Sequence, residues 1–155
     1  MELVEAGKEE LDNYVDLWFS LAKDMEKYSE LNKIIYSNSG KVPEDGFVEQ
    51  IENENYTYYL IKDNAETIGF LTTKIGKHPS RKYSQHTKIV NLFIKENHRN
   101  QGLGTETVQK VKEIARENGS DHLKVSSEWE NEKARKFYKD NGFKEKQVEF
   151  AQKLE

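Results

Sequence analysis

Between Glu9 and Tyr28 the apolar positions Leu11, Tyr14, Val15, Trp18, Leu21, Ala22 and Met25 recur at spacings of three and four. That spacing predicts a helix with one buried face. Leu31, Ile34 and Ile35 either continue the face or belong to a separate short turn. Leu3-Val4 with Ala6 predicts a short strand ahead of the helix, ended by Gly7. Asn38-Ser39-Gly40 breaks the pattern, and Pro43 opens a second helix with Phe47, Val48 and Ile51 inward. The period then changes. Residues 56–62 are aromatic and β-branched, Asp63-Asn64 turns the chain and residues 67–74 return it, which predicts a hairpin.

A polar loop with Gly76, Pro79 and Ser80 leads to a strand over residues 87–94. Val108, Val111, Ile114 and Ala115 mark a helix over 105–117, closed at Asn118-Gly119. Leu123 and Val125 alternate in a strand over 123–127, so strand, turn, helix and strand form a β-α-β unit. Asn131 precedes a helix with Ala134, Phe137 and Tyr138 inward, and Asn141-Gly142 stops it. Residues 143–150 predict a last strand or strand pair. No repeat or low-complexity linker interrupts the chain, so residues 1–155 are expected to form one α+β or three-layer domain.

Composition narrows the choices. A chain of 155 residues suits one principal core. Only 35% of residues are hydrophobic, yet seven Phe, eight Tyr and two Trp supply buried area, which argues against disorder. A net charge of −4 opposes a domain-wide attraction to nucleic acid. The basic run Lys74, Lys77, His78, Arg81 and Lys82 is interrupted by Gly and Pro and reads as a solvated loop. With no cysteine, no disulfide or thiolate nucleophile is available. His78, His86, His98 and His122 form no i, i+4 pair, so no metal site is expected. The first residues lack a basic-then-apolar signal and no stretch is apolar enough to span a bilayer, which points to a cytoplasmic protein without membrane contact.

Chemistry concentrates in Arg99, Asn100, Gln101, Gly102, Leu103 and Gly104, a turn between a strand and a helix. A helix amino end carries unpaired N–H groups and a dipole that favours anions. Glycine lets the backbone approach a phosphate or take a positive φ. Arg99 adds charge and Thr105 a hydroxyl. The competing reading is an ordinary tight turn. A dinucleotide fingerprint is excluded by the missing third glycine, and a P-loop by the missing Gly-Lys-Ser/Thr ending.

Arg99-x-x-Gly102-x-Gly104 resembles the acyl-CoA signature of the GNAT superfamily of N-acetyltransferases. Asn131-x-x-Ala134-x-x-Phe137-Tyr138-x-x-x-Gly142-Phe143 resembles the second signature of that superfamily. The two occur in the same order and separation, across one helix and one strand. The resemblance implies a three-layer α/β/α, α+β fold with a mixed, mostly antiparallel sheet and a V-shaped splay between its two central strands. It implies acetyl-CoA as acyl donor and direct transfer to a primary amine, on a small molecule or a peptide, in a ternary complex. A non-catalytic acyl-CoA-binding module is the alternative.

By the same resemblance the amides of Gln101 through Thr105 bind the CoA pyrophosphate, and Leu92, Phe93 and Ile94 line the pantetheine slot. An amide near Phe93 or Ile94 would polarise the thioester carbonyl. Asn131 would bond the pantetheine arm, or simply cap its helix. Lys136, on that helix, counts among the residues expected to contact the coenzyme. Tyr138 would act as general acid toward the departing sulfur, its alternative being a core position on the helix face. The base is not specified. Many relatives carry a carboxylate in the strand before the turn, where this chain has Val90 and Asn91. The candidates are Glu128, at the end of the following strand, and His86, at the entry to β-structure. Asp12, Asp16, Asp24, Glu26 and Glu30, mixed with Trp18, Tyr28 and Tyr36, would attract and stack a cationic amine, or else be solvated. Homodimerisation through Val148, Phe150 and Leu154 is a further implication, the core being their other destination.

Overall fold

The computed structural model describes residues 1–155. Strand β1 (Glu2–Glu5) leads through a 3-10 turn into helix α1 (Leu11–Met25). Short 3-10 turns then carry the chain to helix α2 (Asp45–Glu52), two residues later than Pro43 suggested. Strands β2 (Tyr56–Asp63) and β3 (Glu66–Lys77) form the expected hairpin. Its turn lies at Asn64-Ala65, both with positive φ (51° and 67°), the twist that matches a tight hairpin. Strand β4 (Gln85–Ile94), helix α3 (Leu103–Glu117), strand β5 (His122–Val125) and helix α4 (Glu132–Asp140) complete the chain. No helix is long and apolar enough to cross a membrane.

The sheet runs β1-β2-β3-β4-β5, antiparallel except for the β4–β5 pair. Strand alternation divides the core into two layers. Leu60 and Phe70 face α1, where they meet Tyr14 and Leu17; Ile61 and Leu71 face α3, where they meet Val111. The fold is thus the expected α+β arrangement, with helices on both faces of a mostly antiparallel sheet.

Two features of β4 shape everything downstream. Thr72 pairs with Asn91 but Thr73 pairs with Ile89, so Val90 is an extra residue, a bulge. The bulge reverses which side chains face which layer. Ile89 packs toward α3, yet four residues on Phe93 packs toward α1 while Leu92 and Ile94 pack toward α3. Pairing with β5 also ends at Ile89–Val125, although β4 continues to Ile94. The two strands splay, and the splay lies toward one side of the five-stranded sheet.

One expectation fails. Residues 143–155 form neither helix nor strand, so the last strand predicted over 143–150 is absent. Val148, Phe150 and Leu154 stay exposed (54%, 91% and 82%), which takes them out of the core. A strand forms only where a neighbouring edge supplies hydrogen bonds, and no backbone bond joins this segment to the open edge of β5.

Candidate active site

The splay opens a cleft of about 260 Å³. One wall is the bulged stretch Ile89 to Leu92, the other Val125 to Glu128 with Asn131, Ala134 and Tyr138, and α1 closes the front with Trp18, Leu21, Ala22 and Met25. Of the residues singled out from the sequence as site candidates, Trp18, Leu92, Glu128, Asn131 and Tyr138 line this one cleft, whereas Phe93, Ile94 and residues 99–105 do not.

The phosphate turn adjoins β4. Gly102 has φ +80°, a left-handed conformation in which a side chain is strained, and no atom lies within 4 Å of where its Cβ would be. Asn100 is also left-handed, at φ 62°. The first bond of the α3 end is Glu106 N–H to Gly102 O, at 3.0 Å. The amides of Leu103, Gly104 and Thr105 therefore emerge from the helix end without an intrahelical partner. A Cβ on Gly104 would meet the Phe137 ring at 3.1 Å, so this glycine seats α4 against α3. Leu103 is buried in the core, and Gln101 Nε2 reaches back to the Asn97 carbonyl. Thr105 Oγ1 accepts a long bond from Asn141 Nδ2, 3.4 Å.

Arg99 departs from the simple expectation of a phosphate ligand. Its Nε donates to the Ile94 carbonyl (2.7 Å), a terminal nitrogen pairs with Asp24 of α1 (3.0 Å), and the guanidinium lies over the Phe93 ring. The side chain fastens α1 to the end of β4, and Asp24 offsets its charge. Lys136 is exposed and paired with Asp140 one turn on, outside the cleft.

Asn131 caps its helix with one atom and keeps the other at the cleft. Oδ1 accepts from Ala134 N–H (3.1 Å) and caps α4, while Nδ2 has no bond and the residue lines the cleft. Tyr138 sits on the same helix, and the Asn141-Gly142-Phe143 ending explains its setting. Gly142 takes φ +93°, Gly142 N–H bonds the Lys139 carbonyl and Phe143 N–H bonds the Tyr138 carbonyl. This Schellman closure brings the Phe143 ring against that of Tyr138, 5.6 Å between centroids. Burial pushes the Tyr138 phenol up to about 12, so it remains a protonated donor at neutral pH.

The amide expected near Phe93 or Ile94 is placed by alternation. Lys95 N–H donates to the Ile68 carbonyl of the β3 side, so the amides of Leu92 and Ile94 point the other way, toward the splay. Phe93 N–H therefore faces β3, and its side chain belongs to the α1-side core. Leu92 also lines the cleft, its amide directed toward the splay while its side chain packs on the α3-side core.

The two base candidates separate clearly. Glu128 lines the cleft, and its Oε1 accepts from Asn32 Nδ2 at 2.8 Å. Asn32 also donates to the Met25 carbonyl at the end of α1, tying the carboxylate to that helix. Nothing in the sequence flagged Asn32, which is 96 residues from its partner. His86 lies at the opposite end of β4, stacked on His78 and beside His122, and does not reach the cleft. The ring packs on Gly76, where any Cβ would collide with it. Burial, then Lys124, His122, His78 and Lys88, hold its pKa below the ordinary histidine value. The acidic residues of the first helical region are not at the cleft either. Asp24 pairs with Arg99, Glu26 with Lys23 and the Ile34 amide, and Glu30 with Lys153.

Comparison with known proteins places this geometry. The chain is 24% identical over 141 residues to an uncharacterized N-acetyltransferase of Methanocaldococcus jannaschii, covering 91% of this chain and 59% of that protein. It is 31% identical over 97 residues to the uncharacterized N-acetyltransferase YhfO of Bacillus subtilis, covering 62% of this chain and 64% of the relative. The chain thus spans about three-fifths of the length of these curated relatives. A tetramutant of the BH1408 protein from Bacillus halodurans shares the fold at a TM-score of 0.81 and 20% identity, over 99% of this chain and 100% of that one. The model of the acetyltransferase (GNAT) family matches residues 20–143, from the α1 wall of the cleft to the phenylalanine packed on Tyr138, and the chain belongs to that family.

Proposed function

We propose that the protein transfers the acetyl group of acetyl-CoA to a primary amine by direct attack in a ternary complex. The observation that carries this reading is the convergence of Leu92, Glu128, Asn131 and Tyr138 on a single cleft beside β4, the strand that leads through the glycine turn into an open helix amino end. The free amides of that end fit a pyrophosphate, and the open space over Gly102 leaves room for it. The cleft walls, apolar except for a few polar groups, fit a pantetheine arm, which Asn131 Nδ2 would bond. Bound acetyl-CoA supplies the activated thioester.

Glu128 takes the proton from the incoming ammonium through its free oxygen, while Asn32 holds the other. The neutral amine nitrogen then bonds to the carbonyl carbon as the carbon–sulfur bond breaks. The Leu92 amide stabilises charge on the carbonyl oxygen, and Ile94 N–H points the same way. Tyr138 donates its proton to the leaving sulfur and is reprotonated, through solvent, by the second proton that the newly bonded nitrogen sheds, while Glu128 releases the first to bulk water. The sum is an amide, free CoA thiol and one proton released. His86 is set aside as base because of its place at the other end of β4, and Lys136 as a ligand because of its ion pair.

Acetyl-CoA turnover across an amine panel, with calorimetric CoA binding in parallel, tests this. Turnover with saturable amine dependence is expected. CoA binding with no amine-stimulated thioester loss would leave a binding module, and the absence of both would remove the acyl-CoA assignment.

A further inference from the structure

The composition of the cleft's acceptor side restricts the amine. Trp18, Leu21, Ala22 and Met25 stand at i, i+3, i+4 and i+7 of α1, one continuous stripe. Tyr14 and Leu17 on the preceding turn are core, so the apolar face that packs on the sheet runs on, past the splay, to become the cleft wall. Phe47 of α2 backs Trp18 edge-on, 5.4 Å between centroids, which holds the wall in place. Facing this wall the cleft has one carboxylate, Glu128, and one of its oxygens is already bonded to Asn32.

Three of the acidic groups of the first helical region are paired elsewhere, and the other two, Asp12 and Asp16, do not line the cleft. Asp24 is held by Arg99 at 3.0 Å, Glu26 by Lys23 at 2.8 Å and Glu30 by Lys153 at 2.9 Å. A second ammonium in this cleft would lie against Leu21 and Met25 without a partner, and an unpaired charge next to apolar groups is strongly disfavoured. The cleft of about 260 Å³ is shared with the pantetheine arm in this reading, which leaves the acceptor side less than the roughly 300–1,000 Å³ usual for drug-sized ligands.

Resting on the acetyl-transfer reading above, we infer that the acceptor is a small monoamine with an apolar body, an alkyl- or arylalkylamine, and that polycationic amines are poor acceptors. The ammonium meets Glu128, and the apolar body lies along the α1 stripe toward Trp18.

The test measures kcat/KM for 2-phenylethylamine, hexylamine, spermidine and an aminoglycoside with the whole chain and saturating acetyl-CoA. The monoamines are expected to exceed the polycations by about 10-fold or more, the discrimination typical of a few apolar contacts. A polycation turned over as well as the monoamines overturns the acceptor class while leaving acetyl transfer standing. Loss of thioester with none of the four, alongside normal CoA binding, overturns both. Ala22→Glu places a second carboxylate on the wall, and is expected to move the preference toward spermidine by about 10-fold. If the variant folds, binds CoA and keeps the original ratio, the α1 stripe does not face the acceptor.

Discussion

The two ends of strand β4 have neighbours on both sides in the sequence, but only one end is clasped by them. At the entry, His86 and Thr87 pair with β3 on one side and β5 on the other. Thr87 Oγ1 bonds Ser120 (2.8 Å) and Asn118 (3.0 Å), and Gln85 bonds the Asn118 carbonyl. At the exit, beyond the Val90 bulge, β5 is gone and the space between the strands is the cleft. Each end has an ionisable side chain that looked like a candidate base, His86 or Glu128. The clasped end buries its histidine in a stack; the open end leaves a carboxylate oxygen free. A suitable intrinsic pKa does not make a base unless the fold leaves room for a substrate beside it.

The comparison is broken most directly at Glu128. Glu128→Gln is expected to lower kcat/KM by about 10²–10⁴-fold with acetyl-CoA affinity nearly unchanged. A rate within threefold of the parent would move the base elsewhere. Tyr138→Phe should reduce kcat by about 10²-fold, since it removes one donor to a developing charge. With the phenol at about 12, the parent pH–rate profile should show no fall attributable to this group below pH 11. A basic limb near pH 9 that vanishes in Tyr138→Phe would contradict that setting.

Gly102→Val tests the turn at the open end. The left-handed φ strains any branched side chain, and the substituent would occupy the approach to the amides. Acetyl-CoA affinity measured by calorimetry is expected to weaken about 10-fold, the scale of one or two lost hydrogen bonds, and an unchanged Kd would remove the pyrophosphate role. The smallest effect belongs to the clasped end. Because the folded pKa of His86 lies below its unfolded value of about 6.5, the unfolded chain binds the proton more readily. Its contribution to stability is present above pH 6.5 and is lost as pH falls through the folded pKa. His86→Gln should flatten the decline in Tm between pH 6.5 and 5 by no more than about 4 °C, with kcat at pH 8 unchanged. A lost rate at pH 8 in a folded variant would put His86 back in the chemistry.

Much of this was legible in the residues. The helix spacings of Leu11 to Met25 and of Val108 to Ala115 lie where α1 and α3 form, and Asn118-Gly119 and Asn141-Gly142 mark two helix ends. Such signals are local, because helix periodicity and capping depend on a few neighbouring residues. Residues 143–150 misled because a few apolar side chains state a preference for pairing without deciding whether the chain returns to the open edge of β5. The clustered carboxylates of the first helical region show a related limit of sequence reading. Asp24, Glu26 and Glu30 look available in sequence, and Arg99, Lys23 and Lys153 take them.

The sequence by itself determined the helices and hairpin, the glycine turn at the head of α3, and the pairing of that turn with Asn131 and Tyr138, all through local backbone preference and motif spacing. Tertiary structure alone decided the Val90 bulge, the splay after Ile89, the placement of Glu128 but not His86 at the cleft, and the bond from Asn32. Those depend on which strand edges run out of partners and which side chains, far apart in the chain, arrive at the same space.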